Sequence, residues 1–367
     1  MINKNILIFV PMMGRGGVEK NLFIIANHFA KNFSKVSIIS TSKEFKSNFD
    51  KKIKFISPKN NFWNKTNNQK LKILVCLILL IKQFFLSKKF EVISFQGNLY
   101  CCFLCKILKL KVILRSNSSI AGWYKGFFKR ILYKYISRMA DKIVVNSLEF
   151  KNEYKKKLNI NAYCIYNPLN KIEIVRNAKK KINFSFYKKN YIKFINMGRL
   201  VGQKDQLTIL KAFKLLKEKT DIKFKLLILG NGINKKKFSE YIKSNNLNKS
   251  IKILSFKKNP YPYLKNSDVF ILSSLYEGLP NVLLESLVLK KFVISTNCPT
   301  GPKEILDNGK GGLFFKMKNE LDLFNKITHY IKNKSKCMIM TKFGYRRLHR
   351  FDYSKNLNKY VELFNFN

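Results

Sequence analysis

The sequence predicts an α/β protein built from two doubly wound parallel sheets, and three observations carry that reading. Short apolar runs without alternation, such as Asn5-Ile6-Leu7-Ile8-Phe9-Val10 and Lys225-Leu226-Leu227-Ile228-Leu229, are the pattern of strands buried on both faces. Segments with helical periodicity fall between most of these runs. The alternation is interrupted once, at Asn167-Pro168-Leu169-Asn170 and the polar stretch that follows it. The 367 residues therefore divide into two domains of ordinary size.

In the first domain, residues 1–170, the opening strand runs into Gly14-Arg15-Gly16-Gly17 and a helix from Val18 to Ala30. Val36-Ser37-Ile38-Ile39-Ser40, Val92-Ile93-Ser94-Phe95, Lys111-Val112-Ile113-Leu114 and Lys142-Ile143-Val144-Val145 read as further buried strands. Residues 73–81 are strongly apolar, but Lys82 ends the run and it is too short to span a bilayer, so a buried helix is expected. Residues 1–10 enter a strand without a cleavage site and are not read as a signal peptide. Residues 171–190 read as a linker. The second domain, 191–345, opens with Ile192-Lys193-Phe194-Ile195-Asn196-Met197 and continues through strands at 225–229, 251–254, 269–272 and 292–295. Two such sheets leave a cleft between them, and open parallel sheets bind ligands at the carboxyl ends of their strands.

Hydrophobic content of 46% excludes global disorder. The 72 Lys and Arg against 21 Asp and Glu give a formal net charge of +51, which fits a polyanionic partner, either nucleic acid or an anionic membrane face. Lys, Asn, Ile and Phe are abundant together, as in proteins of AT-rich genomes, and such a bias raises lysine without any binding purpose. The distribution argues against bias alone. Between Lys51 and Ala140, Glu91 is the only acid beside 19 Lys or Arg, whereas acids return in the second domain. Of the seven cysteines, Cys101, Cys102 and Cys105 cluster, but no second pair and no nearby histidine completes a zinc site. Buried thiols in a reducing cytoplasm are expected. His28, His329 and His349 are read as structural.

The most informative segment is Tyr276-Glu277-Gly278-Leu279-Pro280-Asn281-Val282-Leu283-Leu284-Glu285, with two carboxylates eight positions apart. Gly278 and Pro280 break the backbone after Glu277, and proline is tolerated just inside the start of the helix that follows. Glu277 is expected on a loop and Glu285 about two turns away, both facing the cleft. Two acceptor-only side chains there suit a hydroxyl-rich ligand such as a sugar nucleotide. Gly198-Arg199 to Lys204 follows the first strand of the same domain. Two cations at a strand's carboxyl end suit the charge that develops on a diphosphate leaving group. Alone, Arg199 and Lys204 would read as solvated surface charges; beside the glutamate pair, the binding reading wins. The glycine loop at 14–17 lets amides approach a phosphate or sugar, though a plain tight turn explains it as well. Neither it nor Gly230-Asn231-Gly232 matches GxGxxG, which disfavours a nicotinamide dinucleotide. No DxD pair appears, so the sequence requires no metal and no cofactor beyond its substrate.

These segments resemble the large family of retaining glycosyltransferases with the GT-B fold, family 4. The likeness is strong from Gly198 to Phe315 and looser in the first domain. Gly198-Arg199 with Lys204 matches the family's basic loop, and Glu277 with Glu285 its E-x7-E pattern. The wording from Lys258-Asn259-Pro260-Tyr261-Pro262-Tyr263 to Ser273-Ser274, and again at Asn297-Cys298-Pro299-Thr300-Gly301-Pro302-Lys303-Glu304-Ile305, is close to a bacterial group. Those enzymes add N-acetylhexosamine or hexose to polyprenol-diphosphate-linked glycans. The resemblance implies two Rossmann-like domains around a cleft, with residues 346–367 forming a helix that crosses back to the first domain. It also implies retaining, metal-independent transfer from a UDP-sugar to a lipid-linked glycan in surface polysaccharide, lipopolysaccharide or glycoprotein glycan assembly. The leaving diphosphate would take the acceptor proton on the same face.

By position, the resemblance implies that Arg199 and Lys204 bind the diphosphate, Glu285 accepts from ribose hydroxyls and Glu277 contacts the donor sugar. Leu279, Pro280 and Asn281 would face sugar or phosphate, Pro280 without an N–H. Gly16 and Gly17 would line the cleft. Ser255-Phe256 stands where the family has a glycine and an aromatic near the base. Gln96-Gly97-Asn98 stands where many relatives carry a histidine, which leaves Gln96, Arg115 and Asn117 as polar groups toward the cleft and acceptor.

Trp123-Tyr124, Phe127-Phe128, Ile131-Leu132 and Tyr135-Ile136 recur every four residues as one apolar stripe on a helix. Lys125, Lys129, Arg130, Lys134 and Arg138 take the other face. Such a helix either packs on the sheet or meets anionic headgroups. The acid-free surroundings favour peripheral contact of the first domain with the inner, cytoplasmic membrane face, through this helix or another. No RNA-binding or zinc-finger motif accompanies the charge, so no specific nucleic acid is expected as a partner. A basic nucleic-acid-binding protein, and a soluble enzyme of the same fold acting on a free acceptor, are the alternative readings.

Overall fold

The computed structural model describes residues 1–365 except 15, 61, 67, 88, 118–126 and 188, and the side chains of those residues apart from 64, 65 and 127–130. The chain forms two compact units, residues 1–168 with 353–367, and residues 169–352.

The first unit is built on seven parallel strands: β1 (Ile2–Phe9), β2 (Phe33–Ile39), β3 (Lys54–Ile56), β4 (Glu91–Ser94), β5 (Val112–Arg115), β6 (Lys142–Val145) and β7 (Tyr163–Cys164). Their spatial order is β3-β2-β1-β4-β5-β6-β7. The reversal beside β1 is the doubly wound pattern expected of the sequence. The helices between them are α1 (Gly17–Asn32), α2 (Phe62–Lys65), α3 (Gln69–Leu86), α4 (Asn98–Ile107), α5 (Phe127–Arg138) and α6 (Leu148–Leu158). Side chains alternate across β1 and divide its core in two. Ile6 and Ile8 join α1 in one cluster, while Leu7 and Phe9 join α3, α4, α5 and α6 in the other.

The second unit has six parallel strands: β8 (Ile192–Met197), β9 (Phe224–Leu229), β10 (Ile251–Leu254), β11 (Val269–Leu272), β12 (Phe292–Thr296) and β13 (Leu313–Phe315). They run β10-β9-β8-β11-β12-β13, the same plan repeated. Its helices are α7 (Lys171–Ala178), α8 (Gln206–Lys219), α9 (Lys235–Ser244), α10 (Tyr261–Lys265), α11 (Asn281–Val288), α12 (Pro302–Ile305), α13 (Glu320–Lys332) and α14 (Lys334–Arg346). α15 (Tyr353–Glu362) then returns to the first unit, where Tyr360, Val361 and Phe364 are buried beside α1.

Three expectations need correction. Residues 171–190, expected as a linker, open with α7, which packs on α10 and α11 within the second unit. Asn170 caps that helix by accepting from Glu173 N at 3.0 Å, so a polar stretch hides an ordinary N-cap. Residues 346–367 are not one helix: α14 ends at Arg346, a 3-10 turn covers 347–351, and only α15 joins the first unit. The apolar run at 73–81 is not a buried helix, because α3 buries only Cys76, Leu80 and Gln83. Of the α5 stripe, Ile131, Leu132 and Tyr135 are exposed and Ile136 is half-buried, while Tyr133 and Ser137 face the core. Trp123 and Tyr124 lie outside the described residues. Cys101, Cys102 and Cys105 are buried on α4, and burial pushes the Cys102 thiol up to about 12. Among the described residues, no helix is long and apolar enough to cross a membrane.

Candidate functional site in the second unit

β8 and β11 are neighbours, with Phe194 opposite Val269 and Ile195 opposite Phe270, so the loops leaving their carboxyl ends start side by side. Three hydrogen bonds tie these loops into one frame, and a fourth closes the β8 loop on itself. Ser273 Oγ donates to Lys204 O at 2.6 Å, Leu275 N to Gln203 O at 2.9 Å, Gln203 Nε2 to Tyr276 O at 2.9 Å, and Gln206 Nε2 to Arg199 O at 3.0 Å. The loop after β9 backs this frame so closely that a Cβ on Gly230 would lie 1.8 Å from Gly198 O. Only glycine fits there.

Lys204 reaches across the frame to Glu277, Nζ to Oε1 at 2.5 Å, with both side chains mostly buried. Glu277 is held from behind as well: its N–H donates to Pro299 O at 3.3 Å and its carbonyl accepts from Thr300 Oγ1 at 2.5 Å. Gly301, at φ +90°, lets that loop turn against Gly278 O. Burial, reinforced by the nearby Glu277 charge, pushes the Cys298 thiol up to about 12. Arg199 is exposed on the same loop as Lys204, with a long 3.4 Å hydrogen bond to Gln203. Arg199 and the ion pair are therefore carried by the two adjoining loops that leave β8 and β11.

Glu285 lies on α11, buried, and its Oε1 accepts from Tyr261 Oη at 3.1 Å. Pro280 is the residue before the helix rather than just inside it, and Glu285 stands one turn into α11, eight positions from Glu277 on the preceding loop. Leu279 and Pro280 are buried, and Asn281 opens α11 half-buried. Ser255 and Phe256 are exposed after β10, where Ser255 Oγ accepts from Lys235 Nζ at 2.9 Å. The structure thus gathers Arg199, Lys204 and Glu277, while Glu285 joins Tyr261 on the neighbouring α10. Gln203, Tyr261 and Lys235 were missed in the sequence. The only signal for Tyr261 was its place in the Pro-Tyr-Pro-Tyr segment.

Two first-domain residues, Arg115 and Asn117, are placed otherwise than expected. Gly16 N donates to Glu19 Oε2 and Gly14 N to Glu19 Oε1, each at 3.1 Å, so a carboxylate already caps the glycine loop ahead of Gly17. Arg15 lies outside the described residues. Arg115 faces no cleft, being 1% exposed. Its Nε donates to Tyr360 Oη at 2.8 Å, Nη2 to Asn167 Oδ1 at 3.0 Å and Nη1 to Asn117 Oδ1, while the guanidinium lies 5.1 Å from the Phe95 ring centroid. Asn117 is spent the same way, its Nδ2 donating to Phe95 O at 3.0 Å. These two brace the sheet's carboxyl end. Gln96 stays half-buried, with Oε1 unpartnered among the described residues. Among those residues no group of three or more His, Cys, Asp or Glu gathers that could hold a metal ion.

Residues 177–347, the greater part of the second unit, match the family model described as glycosyl transferases group 1. An uncharacterized glycosyltransferase of Methanocaldococcus jannaschii is 38% identical over 202 residues, 52% of this chain and 48% of the relative. A Campylobacter jejuni protein named as an N-acetylgalactosamine-N,N'-diacetylbacillosaminyl-diphospho-undecaprenol 4-alpha-N-acetylgalactosaminyltransferase is 27% identical over 242 residues, 62% of this chain and 65% of the relative. The chain spans about half to two thirds of the length of the first curated relatives it matches. Among solved structures, Anabaena HepE in complex with UDP and glucose matches 99% of this chain and 100% of its own, with a TM-score of 0.79 and 15% identity. That likeness speaks for the fold, which is the GT-B class of two Rossmann-like parallel-sheet domains.

Proposed function

We propose that this chain is a retaining, metal-independent glycosyltransferase of family 4, and that it uses a UDP-sugar as donor. The observation that carries the reading is the frame of the β8 and β11 loops, in which Lys204 pairs with Glu277 and Arg199 reaches Gln203. Cations fixed there by the backbone frame would meet the diphosphate without reorganising as charge develops on it. Lys204 would exchange part of its contact with Glu277 for phosphate oxygens. That exchange frees a Glu277 oxygen to accept from a hydroxyl of the donor sugar. Glu285, held in one rotamer by Tyr261, would accept from the ribose hydroxyls. The exposed Phe256 and Ser255 offer a face and a hydroxyl to the base. In transfer with retention, the acceptor oxygen attacks from the side the diphosphate leaves. A diphosphate oxygen then takes the acceptor proton. No step needs a metal or a separate cofactor.

The acceptor we assign is a lipid-linked glycan, reached by peripheral association with the cytoplasmic membrane face. The support is the undecaprenyl diphosphate named in the Campylobacter relative and the excess of positive charge on the first unit. The transferred sugar would be an N-acetylhexosamine or a hexose. Calorimetric titration with UDP tests the site: Glu285→Gln should weaken binding at least ~10-fold, the scale of a lost charge-assisted hydrogen bond. Unchanged affinity would sink the assignment. Product masses from UDP- and GDP-sugar panels with a polyprenol-diphosphate acceptor then identify the sugar.

A further inference from the structure

We infer that the outer faces of α3, α4 and α5 together form a surface that docks on an anionic lipid membrane. The three helices are successive crossovers over one side of the first sheet. Cys76 of α3, Cys101 and Cys105 of α4 and Tyr133 of α5 share one core cluster, and α4 packs against both neighbours. Each helix also carries a second apolar stripe that faces away from this core. On α3 it is Leu71, Leu74 and Ile78; on α4 it is Tyr100, Phe103 and Ile107. On α5 it is Leu132, Tyr135 and, just past the helix end, Met139. All are exposed, and the spacing i, i+3, i+7 recurs three times, so each trio lines one side of its helix. Single exposed apolar residues are ordinary. Three stripes on adjoining helices make a patch of the kind that marks an interaction surface.

The surrounding charge selects the occupant. From Gln69 to Asp141 the chain has 14 Lys or Arg and two acids, Glu91 and Asp141. Both acids are already engaged, Glu91 with Lys4 and Asp141 with Lys106. Lys70, Lys82, Lys134 and Arg138 lie on the helices that bear the stripes. Apolar rows among cations suit the headgroup and acyl boundary of an anionic bilayer, where stems enter the apolar layer and ammonium groups meet phosphate. A second copy of the chain would bring like charge against like. A nucleic acid would use the cations and leave the apolar rows in water. The surface rests on the membrane half of the function proposed above and is independent of its donor chemistry.

The test is co-sedimentation of the full chain with phosphatidylcholine vesicles, with and without phosphatidylglycerol, at low and high salt. Binding should require phosphatidylglycerol and weaken with salt. Ile78→Ser/Phe103→Ser/Tyr135→Ser, one change per helix, should reduce vesicle affinity at least ~10-fold, because three apolar side chains no longer enter the acyl boundary. The matching glutamate triple should reduce it further. Ile172→Glu, at an exposed apolar position on α7 in the other unit, should leave it unchanged. UDP titration of every variant checks that the protein is folded and reads the donor site separately. Unaltered vesicle binding by both triples overturns the surface. Wild-type protein that ignores all vesicles, yet loses a dimer by light scattering in the triples, assigns the patch to a second copy instead. Vesicle binding without UDP binding would leave the surface standing and remove the donor reading.

Discussion

Removing either member of the Lys204–Glu277 pair should loosen the carboxyl ends of β8 and β11, and removing both should loosen them less than the sum. At 2.5 Å and an effective dielectric near 20, their attraction is about 7 kcal/mol before desolvation is subtracted. The side chains are only 17% and 9% exposed, so the net effect depends on the charge left behind. Orphaning one partner of a buried pair costs about 3–5 kcal/mol. Glu277→Gln and Lys204→Met each remove one charge with little change in shape. Hydrogen exchange with mass spectrometry reads the result locally. Peptides covering β8 and β11 should exchange roughly 100-fold faster in each single variant, the equivalent of about 3 kcal/mol. The double variant should fall short of the sum by about 2 kcal/mol, since no unpaired charge remains inside. Additivity within about 0.5 kcal/mol would refute the reasoning, because it would mean the two groups are solvated and uncoupled.

Other outcomes follow from the same geometry. Gly230→Ala places a Cβ against Gly198 O and should cost about 3 kcal/mol in thermal unfolding, whereas Gly202→Ala meets nothing within 4 Å and should stay within about 0.5 kcal/mol. Equal melting points would show that the β9 loop is not confined. Tyr261→Phe removes one hydrogen bond from Glu285 and should weaken UDP about 3-fold to 10-fold in calorimetry; full affinity would mean that Glu285 needs no such support. Six of the seven cysteines are buried, and burial holds the Cys76, Cys102 and Cys298 thiols at about 12. Thiolate forms there only as pH approaches that value, so maleimide at pH 8 should label Cys164 alone in the native protein. Labelling of a second cysteine before denaturation counts against the packing of α3 and α4.

The parallel sheets were legible because a strand buried on both faces must be apolar along its whole length. Ile6 to Phe9 and Leu226 to Leu229 show this directly. Glu277, Glu285, Arg199 and Lys204 were legible as residue types at strand ends. Their partners were not: Lys204 and Glu277 are 73 positions apart, and no local pattern says that one neutralises the other. Arg115 was misread for the same reason, since its hydrogen-bond acceptors, Asn167 and Tyr360, arrive from remote segments. α3 failed differently. Its run of Leu and Ile has apolar residues on every side, so periodicity alone could not say that Leu74 and Ile78 face outward. The linker was misjudged because capping residues and linker residues are the same polar types.

α15 gives the first unit a timetable. The strand side of that unit is complete in sequence by Pro168, yet part of its core, Tyr360 and Phe364, emerges only after the whole second unit. At ordinary elongation rates that interval is about 10–40 s. Throughout it, the Arg115 guanidinium lacks the phenol it donates to, and the groove beside α1 lacks Phe364, which later stands edge-on to Phe29 and Phe33. During synthesis the second unit can therefore close first, though it begins later. The earlier unit waits with the apolar groove beside α1 still open. Separating the two units as independent fragments would require joining residues 353–365 to residue 168 by a tether, not cutting the chain once.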